Sequence, residues 1–438
     1  MLPRLLKSYA FAMRSFYFRR ERIEDMQTKK LSRLLRFSYD YVPYYRRLFR
    51  ELGKGPEDFR GADNLRRFPL LSKAEIVNNY PSGLVAEGQG RVVVRRGTGT
   101  TGASASVAHS LASIDVRNAL FFRYFTLAGM RPWSKVVTLW IPEPYWRREP
   151  DREGRLRPTT ALYGFPVWFL GRLLANIHAV RSIPGDIMRE ARIVSEIAPD
   201  FLVGRPTQLR RLGEAMRDQG ILFRPKGVAT TAELMTPTCT AGLEKVFSSR
   251  VYSGLGTSET GTMASTCPRR TGFHLYEDFM IFDVLRDGEP VGPGEVGEIV
   301  VTILHNYAMP LIRYRTGDFV RMGDGSDCVC GSCLTRFKYV EGREKNWLIT
   351  AKGEEVWPIE FTDRVESELG IKDFQVIQLG LDSFVVRLMG EDFGRADVRK
   401  WLVEFIESVV GCPVSVSFEQ RPMNDIWRKY APVMSEVS

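Results

Sequence analysis

A chain of 438 residues that is 44% hydrophobic can bury a large core and divides into two or more domains. Its formal charge is +10, and residues 1–70, with 17 Lys or Arg against 8 Asp or Glu, carry nine of those charges. The nearly neutral remainder excludes a body coated for nucleic-acid binding, and six cysteines in this length exclude a disulfide scaffold. The N-terminal stretch MLPRLLKSYAFAMRSFYFRR is amphipathic but interrupted by charge, without the apolar core or cleavage site of a signal peptide, and no run is long enough to span a membrane. A cytoplasmic protein is expected, with peripheral membrane contact open to the basic N-terminal segment.

In chain order, residues 1–55 read as helices, with Leu31, Leu34, Leu35 and Phe37 among basic positions. Tyr41, Tyr44, Tyr45 and Phe49 form an aromatic patch expected to pack on the main body. Leu71-Ser72-Lys73 turns into a short helix. A glycine-rich segment follows the apolar run Val92–Val94, and residues 111–125 suit a helix, with His109 placed on its approach and read as helical. Val136, Val137, Leu139 and Ile141 suggest a strand, and 147–157 an exposed excursion. Asp186–Ile197 has helical periodicity, 201–204 is a short apolar strand, and 207–219 is again helical. This alternation marks a layered α/β body. Residues 281–285 and 297–303, separated by a Gly/Pro turn, read as antiparallel strands. Beyond Arg343, strands at 374–377 and 384–388 with a helix at 398–409 make a small α+β domain.

Four segments carry chemistry. Gly97-Thr98-Gly99-Thr100-Thr101-Gly102 supplies backbone N–H groups and hydroxyls suited to phosphates, and it is not a Walker A loop because no lysine follows Gly102. In Leu255-Gly256-Thr257-Ser258-Glu259 a carboxylate past a glycine and two hydroxyls suits Mg²⁺ beside phosphate oxygens. Tyr314-Arg315-Thr316-Gly317-Asp318 offers a carboxylate for ribose hydroxyls, and Gly342-Arg343 is followed by Gly353 and Pro358-Ile359-Glu360. Each alone is also what an ordinary turn with a satisfied polar residue looks like. Four in this order over some 260 residues are not.

With these motifs the chain resembles the adenylate-forming ligase superfamily, and within it the phenylacetate–CoA ligase-like branch that includes proteins from capsule gene clusters. The resemblance runs nearly full length. FSYDYVPYYRRLF (37–49) and FPLLSKAEI (68–76) look like the branch's N-terminal signatures, and Thr230-Thr231-Ala232-Glu233 like its adenine-side loop. GREKNWLITAKGEEVWPIE (342–360) looks like the hinge into its mobile C-terminal domain. It implies an α/β fold with a large, multi-subdomain N-terminal body and a small mobile α+β C-terminal domain. The boundaries are a basic helical segment at 1–60, an adenylation body at 61–342 and the mobile domain at 343–438.

The resemblance further implies ATP-dependent activation of a carboxylic acid to an acyl-adenylate and transfer to CoA, with AMP and pyrophosphate released, by a homodimer. Thr98, Thr100 and Thr101, with Gly99 and Gly102 allowing close approach, would hold the phosphates. Ala232, Glu233, Leu255, Gly256, Thr257 and Ser258 would line the nucleotide, Glu259 would bind Mg²⁺, Asp318 the ribose, and Arg343 ribose and phosphate. Thr100, Glu259, Arg343 and Lys429 would act in catalysis. Three departures stand out: Leu255 replaces the usual adenine-stacking aromatic, Ala103-Ser104 replaces a lysine and proline, and Lys429 follows Arg428 instead of glycine. Competing readings are an adenylating enzyme with an amine, a hydroxyl or a carrier-protein thiol as acceptor, and a non-catalytic, zinc-stabilised scaffold.

Cys267-x6-His274 and Cys328-x-Cys330 supply three thiolates and an imidazole, a ligand set for structural Zn²⁺, although Cys330-x2-Cys333 leaves the choice of ligands open on spacing alone. Relatives in the branch have a similar arrangement, which favours Cys267, His274, Cys328 and Cys330. Such a metal would clip together the loops bearing Glu259 and Asp318. Cys239 and Cys412 read as small apolar fillers.

Overall fold

The computed structural model describes residues 2–59, 61–97, 105–131, 133–139, 155–156, 176–180, 186–371, 373–421 and 431–437. Thr98, Gly99, Thr100, Thr101, Gly102 and Lys429 lie outside the described residues, as does most of the 147–157 excursion. The chain forms two compact units, one from the described residues up to Met130 and from Gly254 to Tyr339, the other from those of 131–253 and 340–438.

In the first unit the N-terminal helices are Leu2–Ser15, Arg20–Tyr41 and Pro43–Glu51. Ile23, Gln27, Leu31, Leu34, Leu35 and Ser38 recur every three or four residues and are the buried face of the second helix. Proline is accepted at the first turn of the third helix, where its missing N–H costs nothing. Tyr45 and Phe49 are fully buried among Phe59 and Phe68, whereas Tyr41 is 47% exposed, so the expected aromatic patch is in part a surface. The first helix is held by a buried polar knot. The Arg123 guanidinium donates to both oxygens of Asp278 at 2.6 and 3.1 Å and to the Ala12 carbonyl at 3.0 Å, and it lies 3.7 Å from the centre of the Tyr276 ring. Ser15 donates to the same carboxylate.

Strands Val92–Arg96 and Ser106–Ser110 pair antiparallel, and the Gly97 N–H closes on the Ala105 carbonyl at 2.9 Å. His109 is therefore on a strand, where it is fully buried, and not on the following helix as expected. Helix Leu111–Leu127 starts one residue later because Ser110 caps it, accepting the Ser113 N–H at 3.1 Å. The expected antiparallel pair is present as Met280–Arg286 against Val296–Ile303, continued by Tyr314–Met322.

In the second unit the parallel strands Lys135–Thr138, Asn176–Val180, Phe201–Gly204 and Gly227–Thr231 alternate with helices Ile187–Ile197, Pro206–Asp218 and Pro237–Phe247. Leu202, Leu209, Leu212, Val228 and Phe247 form their core. The C-terminal segment has its own core of Phe361, Phe374, Val386, Leu402 and Ile406. It is a four-stranded sheet with helices Pro358–Leu369 and Ala396–Val410; the α+β character, two of the strands and the second helix were expected, the other two strands and the first helix were not. Asp373 takes Arg210 at 2.7 Å and Arg211 at 3.1 Å from helix Pro206–Asp218. Asp363 accepts the Thr238 N–H at 2.7 Å, and Glu366 accepts from Thr236, at the start of helix Pro237–Phe247.

Candidate active site and metal cluster

Glu259 lies in the turn between the antiparallel strands Val251–Thr257 and Gly261–Thr266. The turn is pinned internally: Thr257 and Thr260 exchange backbone N–H to hydroxyl bonds of 3.2 and 3.1 Å. Gly256 is required by close approach, since a Cβ there would stand 2.3 Å from the Gly261 carbonyl oxygen. Glu259 is buried, and one carboxylate oxygen stands 2.7 Å from where a side chain on Gly97 would begin. The start of the glycine-rich segment and the Glu259 carboxylate, 162 positions apart, therefore meet. The carboxylate takes up the space that a side chain at Gly97 would need. Leu255 is half-buried against the main core of this unit.

Asp318 is buried on strand Tyr314–Met322. Its backbone N–H donates to the Thr316 hydroxyl at 3.1 Å, and that hydroxyl donates to the Ile299 carbonyl at 2.8 Å. The strand register shifts between Glu298 and Val300. Glu298 braces this irregularity, accepting from Arg315 at 2.8 Å and from the Gly317 N–H at 3.0 Å. Gly317 has φ +71°, a left-handed conformation in which a side chain is strained.

In the second unit Thr230 and Thr231 end strand Gly227–Thr231, and Ala232 adopts φ 76°. That turn sends the Glu233 side chain inward. Its carboxylate accepts the Thr207 N–H at 3.2 Å and hydroxyl at 2.8 Å, at the N-terminus of helix Pro206–Asp218. Burial pushes the Glu233 carboxyl above its ordinary range. Arg343 ends strand Arg336–Arg343, half-buried, with its carbonyl accepting the Asn346 N–H at 2.9 Å.

The cysteines and histidine converge. One ligand atom from each of Cys267, His274, Cys328 and Cys330 lies within 4.8 Å of every other. Cys267 Sγ and Cys328 Sγ are 3.5 Å apart, and Cys330 Sγ is 3.3 Å from His274 Nε2. Zn–S bonds of about 2.3 Å at tetrahedral angles set edges near ~3.8 Å, so the cage fits Zn²⁺. Leu334 fixes the imidazole: its carbonyl is 2.9 Å from Nδ1, which leaves Nε2 facing the thiols. Burial alone would raise the Cys267 thiol, but hydrogen bonds from His274, Thr271 and the Arg269 N–H bring it down to about 5. Cys333 is outside the cage. Its thiol donates to the Phe18 carbonyl at 2.8 Å, and Ser332 donates to that of Phe16 at 2.7 Å, docking the loop on the turn after the first helix.

Sequence reasoning passed over Arg117 and Ser113 and did not anticipate the two histidines that Ser113 faces. Arg117, from helix Leu111–Leu127, donates to the Glu259 and Ser258 carbonyls at 3.0 and 2.9 Å. Ser113, one turn earlier, lies 3.2 Å from His305 Nδ1 and 3.5 Å from His109 Nδ1. Burial first, then the Arg117 charge, pushes His305 down to about 3 and His109 well below its ordinary value, disfavouring the charged form of each ring. None of these side chains sits in a local motif that marks it.

No family model matches the chain. The solved 2-hydroxyisobutyryl-CoA ligase, bound to 2-HIB-AMP in the postadenylation state, superposes with TM-score 0.76 at 18% identity, covering 94% of this chain and 90% of that one. The same ligase with 2-HIB-AMP and CoA in the thioesterification state superposes at 0.64, covering 96% and 91%. The fold is that of an adenylate-forming ligase. Among curated proteins, the phenylacetate-coenzyme A ligase of Thermus thermophilus is 28% identical over 356 residues, covering 77% of this chain and 74% of the relative. That of Escherichia coli is 28% identical over 364 residues, covering 79% and 76%. The chain is thus similar in sequence to phenylacetate–coenzyme A ligases and shares the fold of a solved acyl-CoA ligase.

Proposed function

We propose that the protein activates a small carboxylic acid with ATP and passes the acyl group to CoA. The observation that carries this reading is the Glu259 carboxylate seated against Gly97 at the entrance to the GTGTTG segment, in a chain related to phenylacetate–CoA ligases. In the first step a carboxylate oxygen of the acid attacks the α-phosphorus of ATP, the bond to the β-phosphate breaks, and pyrophosphate leaves an acyl-adenylate. In the second the CoA thiol, losing its proton, attacks the acyl carbonyl and AMP departs.

Thr98, Thr100 and Thr101 would hold the β- and γ-phosphates, with Gly97, Gly99 and Gly102 permitting backbone approach. Glu259 would hold Mg²⁺, which when bound offsets charge building on the phosphate oxygens. Asp318, whose backbone N–H is held by the Thr316 hydroxyl, would accept the ribose hydroxyls, with Arg343 beside ribose and phosphate. Along the adenine side the backbone of Ala232 and Glu233 would act, with one Glu233 carboxylate oxygen engaged by Thr207. Leu255 would cover the purine face without ring stacking, beside Gly256, Thr257 and Ser258. Lys429 would reach the α-phosphate from a mobile C-terminal domain at 343–438 during the first step only. Cys267, His274, Cys328 and Cys330 would bind Zn²⁺ with no position left for a water nucleophile, making it structural. None of the helices among the described residues is long and apolar enough to cross a membrane. A cytoplasmic location is part of the proposal. A homodimer is expected, which sedimentation checks.

The test is carboxylate-dependent ATP–pyrophosphate exchange across an acid panel, repeated with CoA while AMP and thioester are followed. Exchange with no acid would overturn the reading. AMP release without thioester would move the acceptor to an amine, a hydroxyl or a carrier thiol.

A further inference from the structure

Arg117 lies 142 positions before Glu259, on the helix that follows the glycine-rich segment, and is 7% exposed. Its two terminal nitrogens reach two successive carbonyls, Ser258 at 2.9 Å and Glu259 at 3.0 Å. A planar guanidinium can grip two carbonyls at once, as a lysine ammonium with one nitrogen cannot in the same geometry. The chain then folds round the same group: a side chain on Gly261 would begin 3.1 Å from the Arg117 guanidinium carbon, and Gly261 has φ +78°. Two neighbouring peptide planes are thus fixed from outside the turn, while the Thr257–Thr260 exchange fixes it from within. The backbone on both sides of the Glu259 Cα is thereby held, which sets the direction in which its side chain leaves the turn, toward Gly97.

We propose that Arg117 is a positioning residue that presets the Glu259 carboxylate for the metal of MgATP. The proposal rests on the reading of Glu259 as the metal-binding residue. Arg117 acts through the Ser258 and Glu259 backbone, and its worth lies in the ordering that metal binding would otherwise have to supply.

Calorimetric titration of ATP into wild type, Arg117→Met, Arg117→Lys and Glu259→Ala, each in excess Mg²⁺ and in EDTA, tests it, with thermal unfolding run alongside. Wild type should bind ATP more tightly with Mg²⁺, and Glu259→Ala should lose that gain. Arg117→Met should lose about ten- to a hundred-fold of it, the scale of a misplaced group, while binding in EDTA changes far less. Arg117→Lys, which keeps the charge but one donor atom, should fall between and remains informative if the methionine variant does not fold. Wild-type Mg²⁺ dependence in either Arg117 variant, beside a Glu259→Ala that has lost it, overturns the proposal alone. Full Mg²⁺ dependence in Glu259→Ala overturns the metal reading itself. A stronger Mg²⁺ gain in Arg117→Met would show that charge repulsion, not positioning, governs the site, and overturns the proposal as well.

Discussion

Replacing Glu366 by glutamine should change how stability depends on pH. Glu366 is packed against the start of helix Pro237–Phe247, accepting from Thr236. Burial raises its carboxyl from 4.5 to about 7; Thr236 and Arg210 oppose the shift, while Asp363 and Asp373 add to it. An acid whose folded pKa is raised binds its proton more tightly when folded. Its neutral form is tolerated below 4.5, and stability is then lost as pH rises from 4.5 to about 7, above which the loss is constant. Each unit corresponds to about 1.4 kcal/mol, so the full shift is about 3 kcal/mol, or about 2 kcal/mol after allowing for partial hydration of the carboxyl. Glutamine keeps an oxygen for the Thr236 hydroxyl and never ionises. Glu366→Gln and wild type should therefore have similar stability near pH 4.5, and the variant should be more stable by about 2 kcal/mol at pH 8. Urea unfolding of both proteins across this range measures the gap. A gap that is constant with pH, or that widens toward acid, refutes the reasoning.

Metal analysis of protein purified without added metal should find close to one zinc per chain, and Cys330→Ser should lower the thermal midpoint more than it lowers activity per folded molecule. A metal-free protein of equal stability would refute the cage. Asp278→Ala leaves the buried Arg123 guanidinium without its carboxylate and should destabilise by about 3–5 kcal/mol in urea unfolding, a loss under about 1 kcal/mol refuting the ion pair as an anchor. Gly97→Ala sets a methyl 2.7 Å from a Glu259 carboxylate oxygen, which can swing aside. Pyrophosphate exchange should fall at least about tenfold with little change in unfolding, because a displaced ligand costs binding more than folding. Lys429→Ala should slow adenylate formation by about a hundredfold and spare thioester formation from presynthesised adenylate, whereas Asp318→Ala should impair both. Rapid-quench measurement of each half-reaction separates them, and equal loss of both steps in the lysine variant would remove Lys429 from that role.

The candidate segments were legible because the nucleotide contacts proposed for them would be made by short contiguous runs: a turn of glycines and hydroxyls, a carboxylate past a turn, a strand with an embedded glycine. Residues Gly97, Glu259, Gly317 and Asp318 each sit in such a run, and the helices and strands around them follow local periodicity. The α+β character of the C-terminal segment was legible for the same reason. His109 was misplaced because a five-residue strand running straight into a capped helix leaves too little alternation to separate the two.

Other assignments were made only by folding. Spacing could not separate Cys328 and Cys330 from Cys333; packing did, by turning Ser332 and Cys333 onto the carbonyls of Phe16 and Phe18. The same holds for the Glu233 carboxylate, which a left-handed Ala232 turns toward Thr207, and for the Arg123–Asp278 pair, 155 positions apart. Arg117 is the clearest case, an ordinary helical arginine in sequence that becomes a brace once the hairpin bearing Glu259 is laid beside it. Backbone propensity acts over a few residues, whereas the partner of a buried polar group is whichever atom the long-range packing brings within about 3 Å. The sequence alone therefore determined which chemistry the chain carries, and the tertiary structure decided which side chains hold that chemistry in place.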